Sequence, residues 1–502
     1  MEDNLNSTLP INGLMSKAER KSQLTLFDVT NLVVGAIIGA DIYVASALGA
    51  GLLGPFSLVA WVVAGVIAIV IALCFAQCSA LLPKVGGPYA YAREAWGPFA
   101  GFIVGWSLWL AEWISLAVFP VAFTQYLMFF LPGLNWISQV TVRVLFVVFL
   151  IVTNVVGVRA AGRTNDILTI VKLVPLAFFA VIGLLFMVFN ASSVSANFST
   201  FAPLGVGSFG SALVLIFWAY AGFEISTIPA DDIQDPGKTI PKAIILGISI
   251  VTVFYLVTNI VLFGVRPWSL LALDKAPLTA ATNAILISNP TWVLIGVIIV
   301  GVGALISVSG SDESGMIGTS RLGYALAADG LFPKVFAKIH PRFKTPYLGI
   351  IISAVTALIA ALFGNLSVLI ATSVFFMAFA YAATGASTFF LQRKNTKVHF
   401  NLRSLIIPIL GVIFSVYLIT QCNFTQIALG LVLLFVGVPI YIKYSPKKEI
   451  AELKAALMSP ENILKTAHAQ ENRFLAHVLK HIKNFYRRRI RKKQTQELTN
   501  QV

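Results

Sequence analysis

Six ionisable side chains lie within long apolar stretches of the sequence, where a helix that crosses a bilayer would meet no water. They are five acids and one base, namely Asp41, Glu112, Lys172, Glu224, Asp312 and Glu313. A charged side chain at the bilayer centre costs a few kcal/mol, so such residues usually face a binding site or a polar pathway. Carboxylates can bind a cation, a buried lysine can carry a proton, and both can bond to backbone groups freed from a helix.

The composition places these stretches in a membrane. The chain has 502 residues, of which 58% are hydrophobic and 11% are charged, and its mean hydropathy is +0.85. A helix needs about 20 apolar residues to cross a bilayer. We therefore predict an all-α integral membrane protein with twelve transmembrane helices, at roughly residues 25–50, 54–82, 98–130, 138–158, 166–190, 208–231, 241–265, 290–316, 346–364, 366–392, 402–422 and 425–443.

Positive charges orient these predicted helices. Lys and Arg fill alternate loops, such as 334–344 and 393–397, whereas the opposite loops hold only Arg266 and Lys275. Because cytosolic loops carry the excess of Lys and Arg, we predict a plasma-membrane protein with both termini in the cytosol. The tail at 444–502 is basic and contributes to the net charge of +15. We expect it to contact anionic lipid or simply to be solvated, and not to bind nucleic acid.

Two of the apolar runs are interrupted by glycine close to an acid. They are GAIIGADIY at 35–43 and FWAYAGFE at 217–224, five predicted helices apart. Glycine in a spanning helix can be a point of close helix packing. A matching pair of interruptions instead favours unwound backbone at a central ligand site. With an odd number of helices per unit, the two halves would insert in opposite directions, as an inverted repeat.

These segments resemble those of the amino acid–polyamine–organocation (APC) superfamily, of the amino acid permease type. GAIIGADIY is similar to the family's G-x-I-x-G-x-G-I-F break, and FWAYAGFE with DDIQDPGKTIPKAI (231–244) is similar to its second break and exit loop. PKVGGPYAYAREAWG (83–97) and SRLGYALAADGLFPKVFAKIHPRFKTP (320–346) resemble its first cytosolic loop and its loop between helices 8 and 9.

The resemblance implies a leucine-transporter-like 5+5 inverted repeat with helices 1 and 6 broken, and alternating access around a site between helices 1, 3, 6, 8 and 10. It divides the chain into a cytosolic N-terminal tail (1–23), a ten-helix transport core (24–393), two additional transmembrane helices (394–443) and a basic cytosolic tail (444–502).

The same resemblance implies the substrate-binding residues. They are Ile37, Ile38, Gly39, Ala40, Asp41, Trp218, Ala219, Tyr220, Gly222, Glu224 and Asp312. Trp218 and Tyr220 would gate the site or simply pack. Asp312 is preferred over Glu313, which cannot share its helix face. The sequence does not decide whether Glu112 pairs with one of these acids or faces the vestibule.

Two residues are expected to couple transport to protons. Lys172 matches a lysine that, in proton-coupled members, occupies the place where sodium-coupled relatives bind an ion; its alternative role is a structural tether to exposed carbonyls. Glu224 would be a protonation switch or counter-charge, or would accept hydrogen bonds from the unwound backbone. The five histidines lie in predicted loops or the tail, so none can relay protons through the core.

Asp41 departs from the family pattern, because it occupies a glycine position beside the place where a substrate α-carboxylate binds. A carboxylate at a helix start can cap the free N–H groups itself. Two outcomes remain open: Asp41 turns aside and an amino acid binds, or Asp41 replaces the substrate carboxylate and the ligand is an amine or polyamine.

The expected function is that of a secondary active transporter for an amino acid or related amine, driven by protons or by exchange. A polyamine or decarboxylated-amine antiporter is the first alternative, and a substrate-sensing receptor on the same fold is the second. The sequence has no nucleophile–base set, phosphate-binding loop or Cys/His metal spacing, so we expect no enzyme, cofactor or metal.

Overall fold

The computed structural model describes residues 24–82, 86–157, 162–224, 233–394, 402–447 and 449–450. These residues are almost entirely helical, and one parallel bridge joins Leu24 to Ile233. Contacts group the chain into one compact unit up to Tyr444 and a second from Ser445 onward. In the second unit the Ser445 hydroxyl bonds to the Glu449 carboxylate, 3.1 Å away.

The helices follow one another with short connections. They are α1 (Leu26–Ile37), α2 (Ala40–Leu53), α3 (Ser57–Leu81), α4 (Pro88–Trp96), α5 (Pro98–Phe130), α6 (Trp136–Val156), α7 (Gly162–Phe189), α8 (Ala191–Phe198), α9 (Phe209–Phe217), α10 (Pro236–Val265), α11 (Trp268–Leu271), α12 (Pro277–Leu286), α13 (Pro290–Ala328), α14 (Tyr347–Phe363), α15 (Leu366–Lys394), α16 (Leu402–Thr420) and α17 (Phe424–Tyr444). Short 3₁₀ helices cover Gly54–Phe56, Trp218–Tyr220 and Lys334–Ala337.

Eight helical segments in the described residues are long and apolar enough to cross a membrane. They are Ala40–Leu81, Pro98–Phe130, Trp136–Val156, Thr169–Phe189, Pro236–Val265, Pro290–Ala328, Leu366–Arg393 and Phe424–Tyr444. Four shorter apolar helices, at Leu26–Ile37, Phe209–Tyr220, Tyr347–Phe363 and Ser404–Thr420, fall within other predicted spans. The first two are short because each ends at one of the glycine interruptions. The chain is therefore a multi-pass membrane protein.

A reciprocal cap sets the start of α1. The Asp28 carboxylate accepts the Thr25 N–H at 2.7 Å, and the Thr25 hydroxyl accepts the Asp28 N–H at 3.4 Å. Such a capping box satisfies two backbone donors that have no partner within the helix. It places Asp28 at the helix end, away from the apolar run that follows.

Helix α5 lies at the centre of the structure. Its 33 residues pack against α4, α13, α14 and α15, and 89% of its most apolar window is buried. Helices α3 and α10 pack against each other. This arrangement brings the interruption between α1 and α2, the end of α9 and the middle of α13 onto one side of α5.

Candidate functional site

The first helix interruption lies at Ile38 and Gly39. Helix α1 ends at Ile37, Ile38 is extended with ψ 107°, and α2 begins at Ala40. A Cβ on Gly39 would lie 2.5 Å from the Ser311 hydroxyl oxygen, so only glycine lets α13 approach this closely. The predicted residues Ile37 to Ala40 thus contribute the backbone of the interruption and are themselves buried.

Side chains from neighbouring helices bind the carbonyl groups that the interruption frees. The Lys172 ammonium on α7 donates to the Gly35 carbonyl at 3.0 Å and to the Ser311 hydroxyl at 3.1 Å. Ser311 in turn donates to the Ile38 carbonyl at 3.1 Å. Unwound backbone at membrane depth is tolerated when protein groups satisfy it in this way.

Two tyrosines add hydrogen bonds on either side of the interruption. The Tyr255 hydroxyl on α10 donates to the Ile37 carbonyl at 3.2 Å. The Tyr126 hydroxyl on α5 donates to the Tyr43 carbonyl at 3.0 Å. Four neighbouring helices therefore hold the region where α1 gives way to α2.

The second interruption follows α9 and contacts the first. Gly222 has a φ of 113°, a conformation that favours glycine. A Cβ there would lie 2.7 Å from the Ala36 carbonyl oxygen. The Glu224 carboxylate is buried and accepts the Gly222 N–H at 3.0 Å. The rest of the predicted helix, from residue 225 to 231, lies outside the described residues.

A narrow cavity opens where the two interruptions meet. The space that the centre of a water molecule can occupy is about 40 Å³. The lining comes from the α1–α2 interruption, α5, the segment after α9, α13 and α15. It consists of Ala36, Asp41, Glu112, Ser115, Leu116, Phe119, Trp218, Ala221, Gly222, Ser311, Ser314, Gly315 and Met377.

A chain of hydrogen bonds fixes Trp218 in the cavity wall. Its indole N–H donates to the Ser115 hydroxyl at 3.1 Å. The Ser115 and Ser373 hydroxyl oxygens are 2.8 Å apart, and Ser373 donates to the Ala111 carbonyl at 3.0 Å. Since Ser373 uses its proton on Ala111, the Ser115 proton points to Ser373. This order leaves an oxygen lone pair of Ser115 for the indole.

Two carboxylates face the cavity from opposite helices. Asp41 lies in the first turn of α2, and its Oδ2 would be 2.9 Å from a Cβ on Gly39. Glu112 extends from α5 and has no hydrogen-bond partner among the described residues. Their charges, and that of nearby Glu224, are close enough to interact. Tyr381 also lies against the Glu224 carboxylate.

Some residues expected in the site do not line the cavity. The Tyr220 hydroxyl donates to the Trp61 carbonyl on α3 at 3.0 Å, so this ring packs away from the cavity. Ala219 and Glu224 are also buried and do not line the cavity. Asp312 is buried on α13, and its Oδ1 has no hydrogen-bond partner among the described residues.

Several lining residues were not predicted from the sequence. They are Ala36, Ser115, Leu116, Phe119, Ala221, Ser311, Ser314 and Met377. Their spacing could have indicated them, because residues three or four positions apart share a helix face. Positions 112, 115, 116 and 119 have this spacing, and so do 311, 314 and 315.

The family model for amino acid permeases matches residues 24–441. The chain belongs to the amino acid permease family. The resemblance inferred from the four sequence segments is therefore confirmed. Members of this family are transporters and not enzymes, which also confirms the expected class of protein.

Similar proteins include three transporters of Bacillus subtilis (strain 168). The branched-chain amino acid permease BcaP is 27% identical, over 85% of this chain and 94% of that protein. The methylthioribose transporter is 25% identical, over 88% of this chain and 98% of that protein. The serine/threonine exchanger SteT is 27% identical, over 86% of this chain and 98% of that protein. The permease described here is thus a membrane transporter of small molecules.

Proposed function

We propose that this permease is a secondary active transporter that moves an amino acid or related amine across the plasma membrane by alternating access. The contact between the two helix interruptions, at Ala36 and Gly222, carries this proposal. Paired interruptions at mid-depth are the usual place of substrate sites in transporters. The cavity beside this contact offers carboxylates, hydroxyl groups and an indole ring to a small polar ligand.

The proposed architecture has twelve spans, with a 5+5 inverted repeat at 24–393 and two additional helices at 394–443. In this architecture α1 and α2 are the two parts of the first span, and α3, which follows α2 within the apolar segment Ala40–Leu81, is the second span. Both termini then face the cytosol, where the tail at 444–502 would meet anionic lipid. The tail from residue 451 onward lies outside the described residues.

Proton coupling is proposed for Lys172 and Glu224. The Lys172 ammonium bonds to the Gly35 carbonyl and sits where freed carbonyls converge, a position suited to a cation. A lysine fixed there leaves no need for a sodium ion. Glu224 ties the second interruption through Gly222 and lies close to Glu112. Gain or loss of a proton at either residue would change the strength of its hydrogen bond to the backbone of an interruption.

The substrate is proposed to be a small amino acid or amine, and two of the three similar transporters are named for amino acids. Their printed names cover branched-chain amino acids, serine and threonine, and also methylthioribose. Methylthioribose is not an amino acid and contains no carboxyl group. Membership of the family therefore does not require a carboxylate in the ligand of this permease.

Uptake by the purified full-length protein in liposomes tests the proposal. Radiolabelled amino acids and amines would be offered with an inward proton gradient, without sodium, and with unlabelled substrate trapped inside. We expect saturable uptake that the proton gradient or internal substrate stimulates. Lys443→Ala, which alters an exposed lysine at the end of α17, serves as a control with normal uptake. Ligand binding without any uptake would instead indicate a receptor.

A further inference from the structure

The wall of the cavity is acidic. Asp41 and Glu112 are 6% and 9% exposed, and both line the cavity. None of the described lining residues is basic. A buried carboxylate is costly unless another group pairs with it. The role of each acid therefore depends on whether a group of the protein already pairs with it.

Asp41 already has a group of opposite charge beside it. Its carboxylate folds back over the interruption, so that a Cβ on Gly39 would lie 2.9 Å from Oδ2. The Lys172 ammonium is close enough to attract it. Helix α2 is 14 residues long, and its N-terminus attracts anions through free N–H groups and the helix dipole. The place where a ligand carboxylate would bind is thus filled by a side chain of the protein.

Glu112 has no such partner. It is more than nine-tenths buried, it faces the cavity, and it makes no hydrogen bond to the described residues. Lys172 does not compensate it, because that ammonium is bound to Gly35 and Ser311. The neighbouring acids Asp41 and Glu224 add repulsion. A cationic group in the cavity would relieve this repulsion and give Glu112 a charge-assisted hydrogen bond.

We propose that Asp41 takes the place of the substrate's carboxylate at the start of α2 and that Glu112 binds the substrate's ammonium group. The cavity then selects primary amines that lack a carboxylate over the amino acids that share their side chains. This inference rests on the proposed function, since it assumes that the cavity is the substrate site.

Matched ligand pairs test the inference. Purified full-length protein in lipid nanodiscs would be titrated calorimetrically with leucine and isoamylamine, arginine and agmatine, and ornithine and putrescine. The members of each pair differ only in the carboxyl group. We expect each amine to bind at least tenfold more tightly than its amino acid. In competition assays of uptake into liposomes, each amine should likewise inhibit more strongly than its amino acid.

Variants assign the preference to the two acids. Asp41→Gly opens the start of α2 and should reverse the order, so that the amino acid binds more tightly. Asp41→Asn keeps the size of the side chain. It should reduce the ratio of amine affinity to amino acid affinity, and it provides this test even if the glycine variant does not fold. Glu112→Gln should weaken amine binding at least tenfold. Asp235→Asn changes an exposed acid at the start of α10 and should leave every affinity unchanged.

Three outcomes would overturn the inference. The first is a preference of the wild-type protein for amino acids that persists in Asp41→Gly and Asp41→Asn. The second is amine binding that Glu112→Gln leaves unchanged. Both would leave the transport function standing, because amino acids or amines would still be taken up. The third is a folded protein that neither binds nor transports any member of the pairs, which would overturn the transport function as well.

Discussion

The Lys172 ammonium lies 3.0 Å from the Gly35 carbonyl oxygen, a bond that ties the middle of α7 to the last turn of α1. The same ammonium donates to Ser311 on α13, which donates onward to Ile38 in the interruption. One side chain thus links three helices at the point where the backbone is unwound. Any event that neutralises or displaces Lys172 would release carbonyl groups that have no helical partner.

Substitution of Lys172 should therefore affect coupling. We expect Lys172→Ala to abolish net uptake or to remove its dependence on external pH, because the alanine cannot donate to Gly35. Lys172→Gln, which keeps a donor without a charge, should retain the fold and lose the pH dependence. Uptake into liposomes between pH 5 and 8 measures both, with Lys443→Ala as the control. A requirement for sodium, or wild-type behaviour of Lys172→Ala across this range, would refute the assignment.

Gly222→Ala should disrupt the contact between the two interruptions. The new Cβ would lie 2.7 Å from the Ala36 carbonyl oxygen, which is backbone and cannot rotate away. The residue would also keep a φ of 113°, which costs on the order of 1–3 kcal/mol for a residue other than glycine. We expect a lower unfolding temperature in detergent and no uptake. Gly207→Ala, where the added Cβ meets no atom within 4 Å, should behave like wild type.

Glycine and acid patterns located the interruptions because both signals are local in the sequence. Helix α1 ends within GAIIGADIY, and the segment after α9 turns at Gly222 within FWAYAGFE. The direction of individual side chains could not be predicted in the same way. Tyr220 points to Trp61 on α3, whereas Trp218 points to the cavity. Those directions depend on how neighbouring helices pack, which a single sequence does not contain.

The hydrogen-bond partners of buried polar residues could not be predicted from the sequence either. Ser311 binds the Ile38 carbonyl from 273 positions along the chain, and the spacing of its helix face does not reveal that partner. Glu112 was recognised as an unusual charge, but its position on the cavity wall depends on the rotation of α5. Such long-range pairs decide the chemistry of the site, while helix positions follow from apolar runs alone.

Ser115→Ala should weaken ligand binding through Trp218. The substitution removes the acceptor of the indole N–H, which then lies buried without a partner. A lost buried hydrogen bond costs about 1 kcal/mol, so we expect a roughly fivefold lower affinity, measured by calorimetry. Ser107→Ala removes a comparable bond on the same helix, to the Phe376 carbonyl, and should not change affinity. Equal effects of the two variants would show that Trp218 does not position the ligand.

Asp274 should make stability depend on pH. It pairs with Arg266 at 2.8 Å, yet burial raises the pKa of its carboxyl group above the ordinary value of 3.8, more than Arg266 lowers it. Above pH 3.8 the folded state then holds more protons than the unfolded state. The contribution of Asp274 to the free energy of unfolding is therefore lost as pH rises through the folded-state pKa of its carboxyl group.

Thermal unfolding in detergent tests this effect. Melting temperatures measured from pH 3.5 to 7 should fall less with rising pH for Asp274→Asn than for wild type. Asp235→Asn is the control, since Asp235 is exposed at the start of α10. An identical pH dependence for Asp274→Asn and wild type would mean that another group is responsible.

A polar cluster joins α4 to the end of α13. The Asp329 carboxylate accepts a hydrogen bond from Arg93 at 2.6 Å and from the Tyr89 hydroxyl at 2.5 Å. Burial and the Asp329 charge raise the pKa of Tyr89, so its hydroxyl stays protonated and remains a donor. The ion pair is partly exposed, with 35% of Arg93 and 42% of Asp329 accessible. Such pairs contribute at most about 1 kcal/mol to stability.

We therefore expect this cluster to affect transport rate more than stability. Asp329→Asn and Tyr89→Phe should each lower the melting temperature only slightly, and together they should show a coupling energy of roughly 0.5–1 kcal/mol, because they remove one shared contact. Since the hydrogen bonds given for Tyr89 and Asp329 in the described residues include no residue of the cavity wall, KM should stay constant while the maximal uptake rate changes. Tyr417→Phe, at an exposed tyrosine on α16, combined with Asp329→Asn should give additive effects. Additivity of Tyr89→Phe with Asp329→Asn, or a change in KM alone, would contradict this role of the cluster.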